Sequence, residues 1–243
     1  MSPIDRAAHL NRWRSRSLTE KSVLALGMMA LALVFPPFPV APVIALVMTA
    51  ATLLGARVSP RIWLGCAAAP LGFLLVGSLS LALQVDSGGI GLAPGGMTAA
   101  GGSAARSLAG LTALLFLALT TPATDLVAGA RRLGLPGEIA EIALLMYRFL
   151  FLLAGTALAM DTAQAARLGH DGARRRMRAL GALIANLLPR SLDRARRLEV
   201  GLAARGWNGE MRVLSRRTAV SWPALTLVLA IEAGVAGLGL WAW

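Results

Sequence analysis

The chain has 243 residues, of which 56% are hydrophobic and 15% charged, against about 25% charged in ordinary soluble domains. Its apolar residues gather in runs near the roughly 20 residues a helix needs to cross a bilayer; this excludes a soluble enzyme and makes an all-α integral membrane protein the expected fold class. The net charge of +12 does not point to nucleic acid. The basic residues avoid the apolar runs and gather at the N-terminus and between residues 161 and 217, as in the inside loops of membrane proteins.

The opening residues 1–21 are too long and too charged for the n-region of a signal peptide, and no small-residue cleavage pattern follows. The first apolar run, 22–38, is therefore expected to stay in the mature protein. A turn containing Pro36, Pro37 and Pro39 separates it from the second run, 40–56, and the third spans 62–83. Cys66 lies in the third run and reads as a small packing residue; a single cysteine builds no disulfide framework. A glycine-rich stretch without helical periodicity, 84–103, precedes the fourth run at 105–121. The fifth run covers 139–160 and the sixth 221–243.

Charge sets the expected topology. Arg6, Arg12, Arg14, Arg16 and Lys21 place the N-terminus inside, and Arg57 and Arg61 mark a second inside loop. The proline turn and the glycine-rich loop carry no Lys or Arg and belong outside, so the fourth run ends inside, near Arg131 and Arg132. If 139–160 then crossed, residues 161–217, with thirteen arginines against five acids, would lie outside. That run also holds Glu141 and Arg148, and a mid-membrane arginine costs about 2.5–3.5 kcal/mol. The consistent solution keeps this helix at the cytoplasmic face. The expectation is thus about five transmembrane helices: a four-span membrane domain over 1–121, a cytoplasmic module over 122–217, and a final span over 218–243 with the C-terminus outside.

Within 122–217, Thr124 or Asp125 can cap a short helix, and Gly134-Leu135-Pro136-Gly137 breaks the chain before the long fifth-run helix. After a basic turn, His170 to Arg178, a second long helix is expected from about Leu180 to Arg205. Leu183, Leu187, Leu192, Leu198 and Leu202 recur on it at helical spacing, an amphipathic stripe, while Arg190, Arg194 and Arg197 take another face. The two long helices end alike, in Ala166-Arg167-Leu168-Gly169 and Ala204-Arg205-Gly206. Alanine permits close approach, arginine complements the helix dipole in the last turn, and glycine lets the chain leave left-handed. The planar guanidinium is then available to a partner's carboxylate or carbonyl.

These features together resemble the transmembrane coupling component of energy-coupling factor transporters, in its cobalt-type branch, the CbiQ family. The resemblance covers essentially the whole chain: Ile4-Asp5-Arg6, Lys21 before the first run, Thr120 to Leu126, Gly134-Leu135-Pro136, and Arg190-Ser191 through Arg194-Ala195 to Ala203-Ala204-Arg205-Gly206-Trp207-Asn208-Gly209. The family's first motif is Ala-Arg-Gly, and Leu168 departs from it. The resemblance implies an inner-membrane subunit whose two coupling helices dock on a cytoplasmic ATPase dimer through the motif arginines. It further implies that the apolar helix faces support a substrate-binding membrane subunit, that a small accessory membrane subunit completes the complex, and that cobalt is the cargo. ATP and magnesium would be bound by the ATPases, with no cofactor, metal site or catalytic residue in this chain.

The residues agree with that division of labour. No phosphate-binding loop of the G-x-x-x-x-G-K-[ST] type occurs. His9 and His170 lie in separate stretches and read as surface histidines, and Glu232 reads as a carboxylate paired or protonated within the bundle. The alternative is a membrane-embedded enzyme for a lipid or isoprenoid, with Asp125, Glu138, Glu141 and Asp161 as its available acids.

Overall fold

The computed structural model describes residues 3–86, 89–206 and 220–242. Helix α1 (Pro3–Leu10) leads through a 3-10 turn to α2 (Leu18–Val34), where the Ser17 hydroxyl accepts the Glu20 N–H at 3.3 Å as N-cap. Helix α3 (Pro37–Ala50) continues into a π-helical turn at Ala51–Gly55 and is followed by α4 (Pro60–Ala82). Strands β1 (Leu83–Asp86) and β2 (Gly89–Leu92) pair antiparallel, and α5 (Gly96–Thr120), α6 (Ala123–Arg132), α7 (Gly137–Ala166), α8 (Ala173–Ala203) and α9 (Trp222–Trp241) complete the order.

Among the described residues, five helices are long and apolar enough to cross a membrane: α3 with its π turn, α4, α5, α7 and α9. The count agrees with the all-α membrane protein expected, but two members differ. Helix α2 has only 17 residues, because Pro36 and Pro37 follow it and proline cannot continue a helix. Helix α7 has 30 residues and qualifies on length and composition; Glu141 and Arg148 within it and the positive charge of the residues C-terminal to it set it apart.

Two boundaries are corrected. Helix α5 begins at Gly96, within the stretch expected to be loop, because small residues there permit close packing: a Cβ on Gly102 would lie 3.0 Å from Pro37, and one on Gly96 3.1 Å from the Ala82 backbone. Tertiary contact overrides glycine's poor helix propensity. Helix α8 begins at Ala173, so Arg174, Arg175, Arg176 and Arg178 are helical rather than part of a basic turn. Arginine is a good helix former, and Arg175 pairs with Asp171 at 2.8 Å one turn back.

The chain forms two compact units. One holds the described residues up to Leu126 together with α9; the other runs from Val127 through α8. In the first, α5 is central, packing against α2, α3 and α4, while α9 packs on α2 and α3. Met28, Ile44, Met48 and Phe116 are fully buried there, with Trp13 set edge-on to Phe116 at 5.3 Å. Cys66 is half-buried beside Ala7, Val58 and Leu119. Leu46, Leu54 and Phe73 are exposed by more than 70%, an outer surface suited to lipid rather than water. Helices α2 and α9 interlock through reciprocal notches. A Cβ on Gly27 would sit 2.2 Å from the Glu232 carboxylate, and one on Gly239 would sit 2.5 Å from the Phe35 ring. Small residues of this kind are what let membrane helices approach closely.

A polar knot gathers the ends of four elements. The buried Lys21 ammonium donates to the Thr120 carbonyl at 3.0 Å, and the Asn11 amide donates to the carbonyls of Ala8 at 2.8 Å and Leu119 at 3.2 Å. The last carbonyls of α5 thus receive donors that the helix itself cannot supply. Arg14 pairs with Asp125 in the first turn of α6 at 2.5 Å. The buried Glu20 carboxylate accepts the Ser221 N–H at 2.8 Å just before α9. Elsewhere Arg106, which sequence reasoning did not single out, donates to the carbonyls of Ala32 and Phe35 at 3.0 and 2.9 Å and caps α2.

Lys21→Met preserves most of the side-chain volume but removes the donor and the cation. It should lower the stability of the detergent-solubilised protein by about 1–3 kcal/mol. This is read as a fall in the thermal unfolding midpoint, and an unchanged midpoint would remove the knot's claim to importance.

Candidate functional site

The second unit carries the two helix ends singled out by sequence. Helix α7 stops at Ala166, and its end is a Schellman motif. The Leu168 N–H donates to the Ala165 carbonyl at 3.0 Å, and the Gly169 N–H to the Gln164 carbonyl at 2.9 Å. The left-handed residue is Leu168, with φ of 60°, not the glycine expected to take that role. Gly169 serves by size: a Cβ there would lie 2.8 Å from the Gln164 carbonyl oxygen.

Helix α8 ends at Ala203 in a tighter turn. The Arg205 N–H donates to Leu202 and the Gly206 N–H to Ala203, each at 3.0 Å, and Gly206 is left-handed with φ of 72°. In both ends alanine precedes arginine, and arginine immediately precedes the left-handed residue. Arg167 and Arg205 are therefore geometrically equivalent, and Leu168 occupies the place of Gly206. Both arginines are exposed, and neither pairs with an acid among the described residues. Arg167 lies beside the first turns of α8 and Arg205 follows its last turn; the 31 residues of α8 span about 45 Å.

An open cavity of about 420 Å³ lies against the first end, lined by Gln164, Arg167, Leu168, Arg175 and Arg178. The Gln164 Oε1 is buried without a hydrogen-bond partner among the described residues. Sequence reasoning missed Gln164, Arg175 and Arg178; the signal available was that Gln164 stands five residues before Gly169, the spacing of the closing hydrogen bond. His170 and Asp161 bond at 3.0 Å across the same turn, while His9 lies 2.8 Å from the Asp5 carbonyl in α1. Trp207, Asn208 and Gly209 lie outside the described residues.

The expected apolar stripe on α8 resolves into two rows. Leu183, Leu187, Leu198 and Leu202 are half-buried in this unit, where α8 packs on α7. Leu192 falls in the other row, with Leu180, Ile184 and Leu188, all exposed. On a further face Arg197 pairs with Asp193, whose carboxylate raises the guanidinium above its ordinary value through hydrogen bonding and charge. Arg190, Arg194 and Arg197 do not face open solvent alone: with Arg148 of α7 they surround a cavity of about 490 Å³.

Residues 10–215 match the family model described as CbiQ, cobalt transport protein. A cobalt transport protein CbiQ from Rhodobacter capsulatus is 52% identical over 240 residues, covering 99% of this chain and 98% of that protein. The Salmonella typhimurium cobalt transport protein CbiQ is 30% identical over 226 residues, covering 88% and 100% respectively. A putative fused cobalt transport protein CbiMQ from Methanocorpusculum labreanum is 29% identical over 216 residues, which make up 82% of this chain and 36% of that one.

Because a left-handed leucine is strained by about 1–2 kcal/mol and glycine is not, Leu168→Gly should raise the stability of the second unit by about 1 kcal/mol. Slower amide hydrogen exchange through the last turns of α7 would reveal it. Faster exchange there would show that the Leu168 side chain contributes more than its backbone costs.

Proposed function

Because the chain belongs to the CbiQ family of cobalt transport proteins, we propose that it is the energy-coupling membrane subunit of an ATP-driven importer of the energy-coupling factor type, with cobalt as cargo. The observation that carries the reading is the repeated helix end: two exposed arginines, each set by a left-handed turn, one α8 length apart. A repeated feature at that separation suits two copies of one partner surface, as an ATPase dimer presents. Each guanidinium offers a planar fork to a carboxylate or carbonyl in a groove, and the cavity beside Arg167 leaves room for a partner's side chain.

The ATPases bind ATP and magnesium, and this chain contributes no catalytic residue. Closure of the ATPase pair moves Arg167 and Arg205 with their helices and tilts a substrate-binding membrane subunit that rests on the apolar face of α8. The exposed row through Ile184, Leu188 and Leu192 is open to that subunit. The fused relative, in which the matched region is about a third of a longer chain, supports a membrane partner, and a small accessory membrane subunit completes the assembly. In this arrangement the chain lies in the inner membrane with its N-terminus in the cytoplasm, its C-terminus outside, and α7 at the cytoplasmic face. The positive charge of residues 161–217 supports that orientation.

The enzyme alternative has two of its acids already engaged: Asp125 in an ion pair with Arg14 and Asp161 in a hydrogen bond with His170.

Arg205→Glu reverses the charge at one docking point. Membrane insertion should be normal, ATPase recovery in a detergent pull-down should fall at least about tenfold, as expected for loss of a buried charge-assisted contact, and cobalt uptake should fall with it. Arg167→Glu acts in the same direction, and the double variant is the most severe. Full ATPase recovery with the double variant would overturn the assignment.

A further inference from the structure

Helix α7 is apolar along its length and contains a single basic residue, Arg148. Arg148 is exposed, and a cation on a helix at the membrane face attracts an anion. The facing residues of α8 add to that charge, since Arg190, Arg194 and Arg197 line the same cavity of about 490 Å³. Asp193 is the one acid among the described lining residues, and it is taken by Arg197. Arg148, Arg190 and Arg194 therefore remain around the cavity, whose lining offers them no carboxylate besides Asp193. The opposite wall is hydrocarbon, built from Phe149, Leu152 and Leu153. Beyond it the apolar surface of α7 continues through exposed Met146, Leu150 and Leu158.

We propose that this cavity binds the headgroup phosphate of an anionic phospholipid, with the acyl chains lying along α7. A phosphate oxygen set accepts from several guanidiniums at once, which is the geometry arginine serves best. A free phosphate would satisfy the arginines but leave the hydrocarbon wall and the α7 flank uncovered, whereas an amphiphile matches both in one ligand. The site rests on the reading of α7 as a helix at the cytoplasmic membrane face, where anionic lipid is at hand. It lies away from Arg167 and Arg205, so lipid occupancy and ATPase docking can fail separately.

To test it, the chain is extracted in mild detergent with the subunits that accompany it and stripped of lipid. It is then exposed to equal amounts of phosphatidylglycerol and phosphatidylcholine with the same acyl chains. Native mass spectrometry should show phosphatidylglycerol retained in preference by about tenfold. Millimolar inorganic phosphate should leave it in place. Arg148→Gln/Arg194→Gln should abolish the preference while still capturing the ATPase, and Arg148→Lys/Arg194→Lys, which keeps the charge, should restore much of it. Equal retention of the two lipids by the wild type overturns the proposal, as does a preference that survives the glutamine variant. Displacement by inorganic phosphate also overturns it, marking a free-anion site instead. Loss of ATPase capture by the wild type would instead count against the coupling reading and leave the lipid result standing.

Discussion

The structure depends on how the C-terminal end of α5 is terminated. A helix end leaves carbonyls without partners and gathers partial negative charge, and here that end is buried at the centre of the membrane unit. Water cannot solve the problem, so the chain solves it with Lys21 and Asn11, both supplied by the N-terminal residues. The N-terminal segment is thereby more than a charged leader to the first apolar run. It is the cap of the central helix, and its neighbours Arg14 and Glu20 use the same position to hold the start of α6 and the approach to α9. The chain thus leaves the membrane unit at a point set by ionic and hydrogen-bonded contacts.

The same economy appears at the other end of the bundle. Arg106 closes the open carbonyls of α2, and the glycine notches at Gly27 and Gly239 let α9 come close to α2. In a bilayer, lipid tails are as apolar as leucine, so close fit and satisfied polar groups discriminate between helices where simple burial does not. This explains why so much leucine remains on the outside of the unit while Glu20 and Lys21 are buried inside it.

Much of this was legible in the sequence. Apolar runs indicated the membrane class and the two long helices of the second unit, because that signal is one-dimensional and strong; the set of qualifying helices differs from the expected one, with α7 in place of α2. The start of α5 was not legible, since its glycines favour helix only when Pro37 and Ala82 are close beside them. The start of α8 was hidden because a run of arginines reads equally well as loop or as exposed helix. At the helix ends the pairing of Arg167 with Arg205 was visible as a three-residue echo. That Leu168 takes the left-handed position, with Gly169 chosen for close approach, required the backbone. The division of the α8 leucines into two rows also required it, since Leu183 and Leu192 share one period but face different neighbours.

Among the described residues of the second unit, considered by itself, arginines without an ion pair include Arg167 at the end of α7, Arg205 at the end of α8, and Arg148, Arg190 and Arg194 around the cavity the two helices share. Each place demands an anion of different shape. The helix ends display single forks at a separation of one helix length, which suits discrete carboxylates on a repeated rigid surface. The shared cavity concentrates guanidiniums against hydrocarbon, which suits one anionic group with several acceptor oxygens carrying an apolar tail. A uniformly basic surface would attract any polyanion and specify none. With Asp193 neutralising Arg197 and with Arg167 and Arg205 set next to left-handed residues, the positive charge of this helical module is presented as separate, shaped sites rather than as a uniform surface.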